Sequence, residues 1–162
     1  MNSNFENELQ AYNFEEHWNK AYKKTPTTSL GWYEENPTPS LELIEACDLS
    51  TDAVIFNAGA GSTSLISKLL EKGYKNIIIN DIAATALAEL KKDLTIEKAS
   101  NLQFIVDDLT KPTALLKLKD IDVWHDRAVL HFFTEKHQQE AYFQLLKKVI
   151  KLNGYVILAQ FN

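Results

Sequence analysis

From residue 53 onward, short apolar runs alternate with amphipathic stretches, and this alternation restricts the fold more than any other feature of the chain. Ala53–Phe56 is an apolar run of strand length. Asn57-Ala58-Gly59-Ala60-Gly61-Ser62 follows, and then Leu65, Ile66, Leu69 and Leu70 recur at helical spacing. Gly73 stands where a glycine would close that helix. Lys75–Asn80 contains three consecutive isoleucines, as expected of a strand buried on both faces. Residues 83–93 read as a helix, 102–106 as a strand, Ile121–His125 as a strand and 135–150 as an amphipathic helix. Asn153-Gly154 reads as a turn into a last strand, Tyr155–Phe161. Strand and helix alternating five times over imply right-handed crossovers and a parallel sheet with helices on both faces. Ligands of such sheets bind at the carboxyl ends of the strands, near the switch point of the strand order.

The region before residue 53 differs in character. Residues 1–11 are polar and irregular and are expected to fray. Over residues 12–23, Phe14, Trp18 and Tyr22 form one aromatic stripe on a helix. Residues 24–39 hold Pro26, Gly31, Pro37 and Pro39 around Trp32-Tyr33 and read as a loop, after which Ser40–Cys47 reads as a short helix. The whole chain, 1–162, is read as one domain, long enough to bury about 70% of the surface its unfolded form exposes.

Seventeen basic against 22 acidic side chains give a net charge of −5, without the basic footprint of a general nucleic-acid binder. Cys47 is the one cysteine, so no internal disulfide framework exists, which fits a reducing compartment. No apolar run has the length of a membrane span, and the first twenty residues show no secretory signal. The expected setting is therefore cytoplasmic. No histidine pair has the spacing of a metal site, and Cys47 has no histidine near it in sequence.

The candidate chemistry lies behind the first strand. Gly59 and Gly61 would let a ligand approach the backbone at the start of a helix, although a tight strand-to-helix turn explains two glycines equally well. Asp81 ends the second strand about twenty residues later, where a carboxylate can accept both hydroxyls of a ribose or can simply cap the next helix. Asp107-Asp108 ends the third strand, where it can meet an adenine amino group or shape a turn. Taken together, the glycine loop and the two acidic positions describe an adenosine pocket.

These segments resemble the class I S-adenosylmethionine-dependent methyltransferases. The resemblance is carried by Asn57-Ala58-Gly59-Ala60-Gly61-Ser62, Asn80-Asp81-Ile82, Val106-Asp107-Asp108-Leu109 and the stretch Asp122-Val123-Trp124-His125-Asp126-Arg127-Ala128-Val129-Leu130-His131-Phe132. That last stretch, with Trp18, Tyr22, Trp32-Tyr33 and Pro37-Thr38-Pro39-Ser40-Leu41, is similar to a subgroup of small methyltransferases. The resemblance implies a Rossmann-like, doubly wound, three-layer α/β/α fold with strand order 3-2-1-4-5. It divides the chain into N-terminal helices and a lid (1–50) and a cofactor-binding core (51–162). It implies that S-adenosylmethionine binds with Asn57, Gly59 and Gly61 at its methionine end, Asp81 and Ile82 at the ribose, and Asp108 and Leu109 at the adenine. His125 would lie near the transferring methyl group, with Asp126 and His131 as further polar candidates at the reacting end. Trp32 or Tyr33 would close over the cationic sulfonium.

Two departures from the family pattern stand out. The family usually has an acid at the position of Asn57, where it helps to hold the ammonium group of the cofactor. The family's sixth and seventh strands are expected to be absent, which would leave Tyr155–Phe161 as an exposed edge for a second copy or another partner to cover. The function implied is in-line transfer of a methyl group to a small-molecule or protein acceptor. A cofactor-binding domain of weak or no activity is the alternative. An NAD-dependent oxidoreductase is a more distant one, because Tyr142 and Lys147 lack the Tyr-x-x-x-Lys spacing. Arg127 is expected to form a surface ion pair with Asp126.

Overall fold

A computed structural model of the chain describes residues 13–95 and 102–160. The expected fraying of residues 1–11 therefore lies outside the described residues. Helix α1 (Phe14–Lys24) starts at Asn13, whose side chain accepts the Glu16 N–H, and carries Lys23 and Lys24 in its last turn. A single 3₁₀ turn, Thr27–Ser29, and a loop lead to α2 (Thr38–Glu45), with Pro39 in its first turn where a missing N–H costs nothing. The core then runs β1 (Val54–Ala58), α3 (Leu65–Glu71), β2 (Asn76–Asp81), α4 (Ala84–Asp93), β3 (Gln103–Val106), β4 (Ile121–Arg127), α5 (Lys136–Val149) and β5 (Ile150–Ala159).

The five strands form one sheet in the order β3-β2-β1-β4-β5, and every pairing is parallel. This is the expected order, with the switch point between β1 and β4. The apolar runs of β1, β2 and β4 occupy its centre, and Ile55, Phe56, Ile79, Ile121 and Trp124 are fully buried. On one face Ile55, Ile77 and Ile79 pack against Ile44 of α2, Leu65, Ile66 and Leu69 of α3, and Leu87 and Leu90 of α4. On the other, Phe56, Ile78, Ile105 and Trp124 pack against Tyr142, Leu145, Leu146 and Val149 of α5. Gly73 closes α3 as expected: its φ is +91°, and the N–H of Tyr74 reaches the Leu69 carbonyl.

The segment around Pro112, which the sequence leaves undetermined, is defined here, and two local expectations are corrected. Among the described residues, β3 and β4 are joined by a 3₁₀ turn, Leu115–Lys117, and no α-helix, because Asp107 organises the loop. Its carboxylate accepts the N–H groups of Asp108 (3.1 Å to Oδ1), Thr113 (2.8 Å to Oδ2) and Leu115 (2.9 Å to Oδ2). Strand β4 continues past His125 to Arg127. Ile150 opens β5, and Asn153-Gly154 lies inside that strand, not ahead of it. Between the pairs Ile121↔Ile150 and Val123↔Tyr155, β4 advances two residues while β5 advances five, and Asn153 absorbs the excess at φ +65°. At this edge of the sheet Leu152 is 94% exposed, and Tyr155, Val156 and Leu158 are each more than two-fifths exposed.

Candidate cofactor cleft

The carboxyl ends of β1, β2, β3 and β4 open into one cleft roofed by α1 and the 30–34 loop, with a volume of about 1200 Å³ including its open mouth. Asn57, Gly59, Asp81, Ile82, Asp108, Leu109, His125 and Trp32 all line it. Gly61 supports the floor through the loop that Asp81 holds.

Gly59 (φ +53°) and Gly61 (φ +59°) both adopt left-handed backbone. A Cβ at Gly59 would collide with Val129, and one at Gly61 with the hydroxyl of Tyr22. The loop is therefore glycine-dependent for space as well as for dihedral angle. Asp81, 6% exposed at the end of β2, fastens it: Oδ2 accepts the Gly61 N–H at 2.7 Å and Oδ1 the Ala83 N–H at 2.7 Å. Burial pushes the Asp81 carboxyl up to about 6, against the opposing pull of the hydrogen bonds from Ala83, Gly61 and Ile82. The Ala60 N–H donates to the Asn80 carbonyl at 2.7 Å, a second tie between loop and strand. Asp108 folds its own turn, accepting both the N–H and the hydroxyl of Thr110 at 2.7 Å.

His125 is 2% exposed, and both of its ring nitrogens are engaged. Nδ1 is 2.9 Å from Asn57 Oδ1, and Nε2 is 3.0 Å from Ser40 Oγ. Burial first, and the nearby Arg127 charge second, bring the imidazole down to about 4, so the ring is neutral at physiological pH. Asp126, the next residue, projects to the opposite face of the sheet, as alternation along a strand requires. It is fully buried and does not line the cleft. Its carboxylate accepts the Tyr142 hydroxyl (2.7 Å), the Val129 N–H (3.0 Å) and the Gln160 amide (3.3 Å), while Trp124 Nε1 donates to the Tyr142 oxygen at 2.8 Å. Asp126 thus braces the turn after β4, which places Val129 over Gly59. His131 is held at the surface, 2.9 Å from Gln160 Oε1.

The roof is aromatic. Trp18 packs edge-on against Trp32 (5.3 Å between centroids) and Phe132 (5.0 Å), and Trp32 Nε1 donates to the Tyr22 hydroxyl at 3.2 Å. Burial and the charge of Asp81 both push the Tyr22 hydroxyl up, so it stays protonated. Arg127 does not pair with Asp126. Its position at the end of β4 turns the guanidinium to the roof, where it meets Glu34 (2.9 Å) and the Trp32 carbonyl (2.9 Å). Ser64 donates to the Glu34 carbonyl at 2.6 Å, and Asn19 of α1 accepts the Thr85 N–H and hydroxyl at the start of α4. Ser40, Glu34 and Val129 carry no site role in the sequence reading. Their partners lie between 30 and 93 residues away in sequence except for Val129–Asp126, and only the Trp-Tyr and Pro-x-x-Ser motifs mark their neighbourhood.

Among the described residues lining the cleft, Ser62 Oγ and Asn80 Oδ1 are buried without a hydrogen-bond partner. Those two groups, the glycine loop and the acids after β2 and β3 are the surroundings that an adenosyl ligand with polar groups at both ends would fit. No cluster of metal-ligating side chains exists among the described residues.

The model of a family described as "Methyltransferase domain" matches residues 56–158. The chain belongs to that methyltransferase family. It is of the class I, S-adenosylmethionine-dependent type, and its strand order is the one expected of that class. The chain is 27% identical over 161 residues to "EEF1A lysine methyltransferase 2" of Danio rerio, covering 91% of this chain and 68% of the fish protein. The same fold occurs in a structure described as "Conversion of a Disulfide Bond into a Thioacetal Group during Echinomycin Biosynthesis" (TM-score 0.67, 18% identity, 88% of this chain and 60% of the other). It occurs again in the "DhpI-SAM-HEP complex" (TM-score 0.66, 15% identity, 87% and 61%). The methyltransferase domain thus spans about three-fifths of the length of those two solved chains. No helix among its described residues is long and apolar enough to cross a membrane.

Proposed function

We propose that this methyltransferase domain binds S-adenosylmethionine in the cleft and transfers its methyl group to a protein amine, a lysine side chain. The single observation that best supports the site is the Asp81 carboxylate, buried and clamped onto the N–H of Gly61. It joins the ribose-binding acid and the glycine loop into one rigid unit. Asp81, flanked by Ile82, takes the ribose hydroxyls, and Asp108 with Leu109 takes the adenine. Gly59, Gly61 and Asn57 lie at the methionine end, under Trp32. The cofactor, when bound, supplies a methyl group on a positively charged sulfur, already activated for displacement.

The residues of the chain then need to position and to exclude water. Trp18, Trp32 and Phe132 supply an apolar wall, suited to the alkyl stem of a lysine and to a cationic sulfonium. His125 serves as a positioning group in this reading, since both ring nitrogens are occupied and the ring is neutral. Asp126 supports the Val129 turn from the far side of the sheet. The amine therefore arrives unprotonated, or loses its proton to water. The Danio rerio relative, named as a lysine methyltransferase of EEF1A, favours a protein acceptor over a small molecule. Incubating the protein with methyl-labelled cofactor and lysine-rich protein acceptors tests the reading. Label on lysine supports it, while cofactor binding without transfer to any acceptor supports a binding domain instead.

A further inference from the structure

The methionine end of the cleft is built with the opposite polarity to the one an acid at position 57 would give. Asn57 and His125 are register partners on β1 and β4, and the amide oxygen of Asn57 faces His125 Nδ1 at 2.9 Å. With that oxygen accepting from Nδ1–H, Nε2 is left to accept the Ser40 hydroxyl at 3.0 Å. Ser40 thereby fixes the ring, and the ring fixes the amide. The consequence falls on the other end of the amide. Asn57 is 3% exposed and lines the cleft, and with its Oδ1 turned to His125 the Nδ2 stands on the other side of the amide. An amide N–H₂ that meets a ligand cleft can donate to a group bound there.

The charges around it agree. The acids lining the cleft on the sheet side, Asp81, Asp107 and Asp108, stand at the ends of β2 and β3, whereas β4 ends in the cation Arg127. Glu34, the remaining acid, comes from the roof and faces Arg127. Resting on the cofactor reading above, we infer that Asn57 Nδ2 binds the carboxylate of the cofactor's amino-acid end. Ser40, acting through His125, is the positioning residue that keeps Asn57 in that orientation. An acid at position 57 would instead select the ammonium group.

Calorimetric titration of the whole protein with three ligands tests this: S-adenosylhomocysteine, its analogue lacking the carboxylate and its analogue lacking the amine. Removing the carboxylate weakens binding about tenfold or more, as expected for a lost charge-assisted hydrogen bond, and removing the amine weakens it less than about threefold. Asn57→Asp reverses that order. Ser40→Ala frees the ring and the amide and brings the two losses toward equality while the protein stays folded. If the wild-type protein loses more on removal of the amine, or equally on both removals, the inference is overturned, although S-adenosylhomocysteine binding still upholds the cofactor reading. An unchanged preference in Ser40→Ala overturns the positioning role of Ser40. Absence of S-adenosylhomocysteine binding overturns the cofactor reading itself.

Discussion

Asn57 and His125, 68 residues apart in sequence, face each other across β1 and β4 with the amide oxygen 2.9 Å from the ring nitrogen. The ring's second nitrogen reaches Ser40 in α2, so one neutral histidine ties two central strands to the helix in front of them. His125→Ala leaves Asn57 and Ser40 buried with lost partners. The expected cost is about 2–4 kcal/mol of stability, measured by urea denaturation.

Two buried groups oppose each other in acid. The His125 imidazole is held at about 4 against an ordinary 6.5, so the unfolded chain takes up a proton that the folded one refuses. Its contribution is full above pH 6.5 and is lost as the pH falls toward 4. The Asp81 carboxyl is held at about 6 against 3.8, so its contribution is full below 3.8 and is lost as the pH rises through 6. Between these limits the two slopes offset one another. Asp81→Asn removes one of them, so its stability should fall more steeply on acidification than that of wild type across this window, by up to about 1.4 kcal/mol per pH unit. Denaturation curves from pH 7 to about 4 check this. An equal pH profile in Asp81→Asn and wild type contradicts it.

Gly61 and Tyr22 share one space, because a Cβ on Gly61 would meet the Tyr22 hydroxyl. Gly61→Ala should destabilise the protein by about 1–3 kcal/mol and abolish detectable S-adenosylhomocysteine binding. Adding Tyr22→Phe removes the collision, at the loss of the acceptor for Trp32 Nε1, and leaves the cost of the positive φ. The double variant should therefore recover part of the stability, a coupling that a double-mutant cycle measures.

The Arg127–Glu34 pair, with the Arg127 bond to the Trp32 carbonyl, fastens the roof to the end of β4. Both side chains are partly exposed, so the pair itself adds little to global stability. Glu34→Gln should leave the urea midpoint within about 0.5 kcal/mol of wild type while raising ligand association and dissociation rates together by several-fold. Stopped-flow tryptophan fluorescence, which reports Trp18 and Trp32, follows both rates.

Asp126 and Asp81 separate structure from binding. Asp126→Ala strips the Tyr142 hydroxyl and the Val129 N–H of their acceptor within the core and should cost about 2–4 kcal/mol. In the fraction that remains folded, ligand affinity should change by less than about threefold. Asp81→Ala also strips the Gly61 and Ala83 N–H groups of their acceptor and should cost stability too, but unlike Asp126→Ala it should weaken ligand binding at least about tenfold.

The parallel sheet was legible because β1, β2 and β4 announce themselves as apolar runs, and because the glycines stand immediately after the first of them, whereas its order came only with the resemblance to class I methyltransferases. The same local pattern found Asp81 and the Asp107–Asp108 corner. It failed where the deciding contact is distant. His125 and Asp126 are adjacent in sequence, and only strand alternation, fixed by pairing with β1, sends one into the cleft and the other to Tyr142. Arg127 was assigned to its sequence neighbour, but its partner is Glu34 on the roof, 93 residues earlier. Asn153-Gly154 has the composition of a turn, and the paired neighbour β4 absorbs it into a bulged strand. Ser40 sits in a motif but shows no local sign that its hydroxyl reaches a histidine 85 positions away.

The most direct measurement is equilibrium binding of S-adenosylhomocysteine and of NAD, by calorimetry, to the wild-type protein and to Asp81→Ala. One molecule of S-adenosylhomocysteine should bind per chain, at least about tenfold more weakly to Asp81→Ala, with no heat from NAD. Binding of NAD in place of S-adenosylhomocysteine, or equal S-adenosylhomocysteine affinity in the variant, would contradict a methyl-donor cleft organised by Asp81.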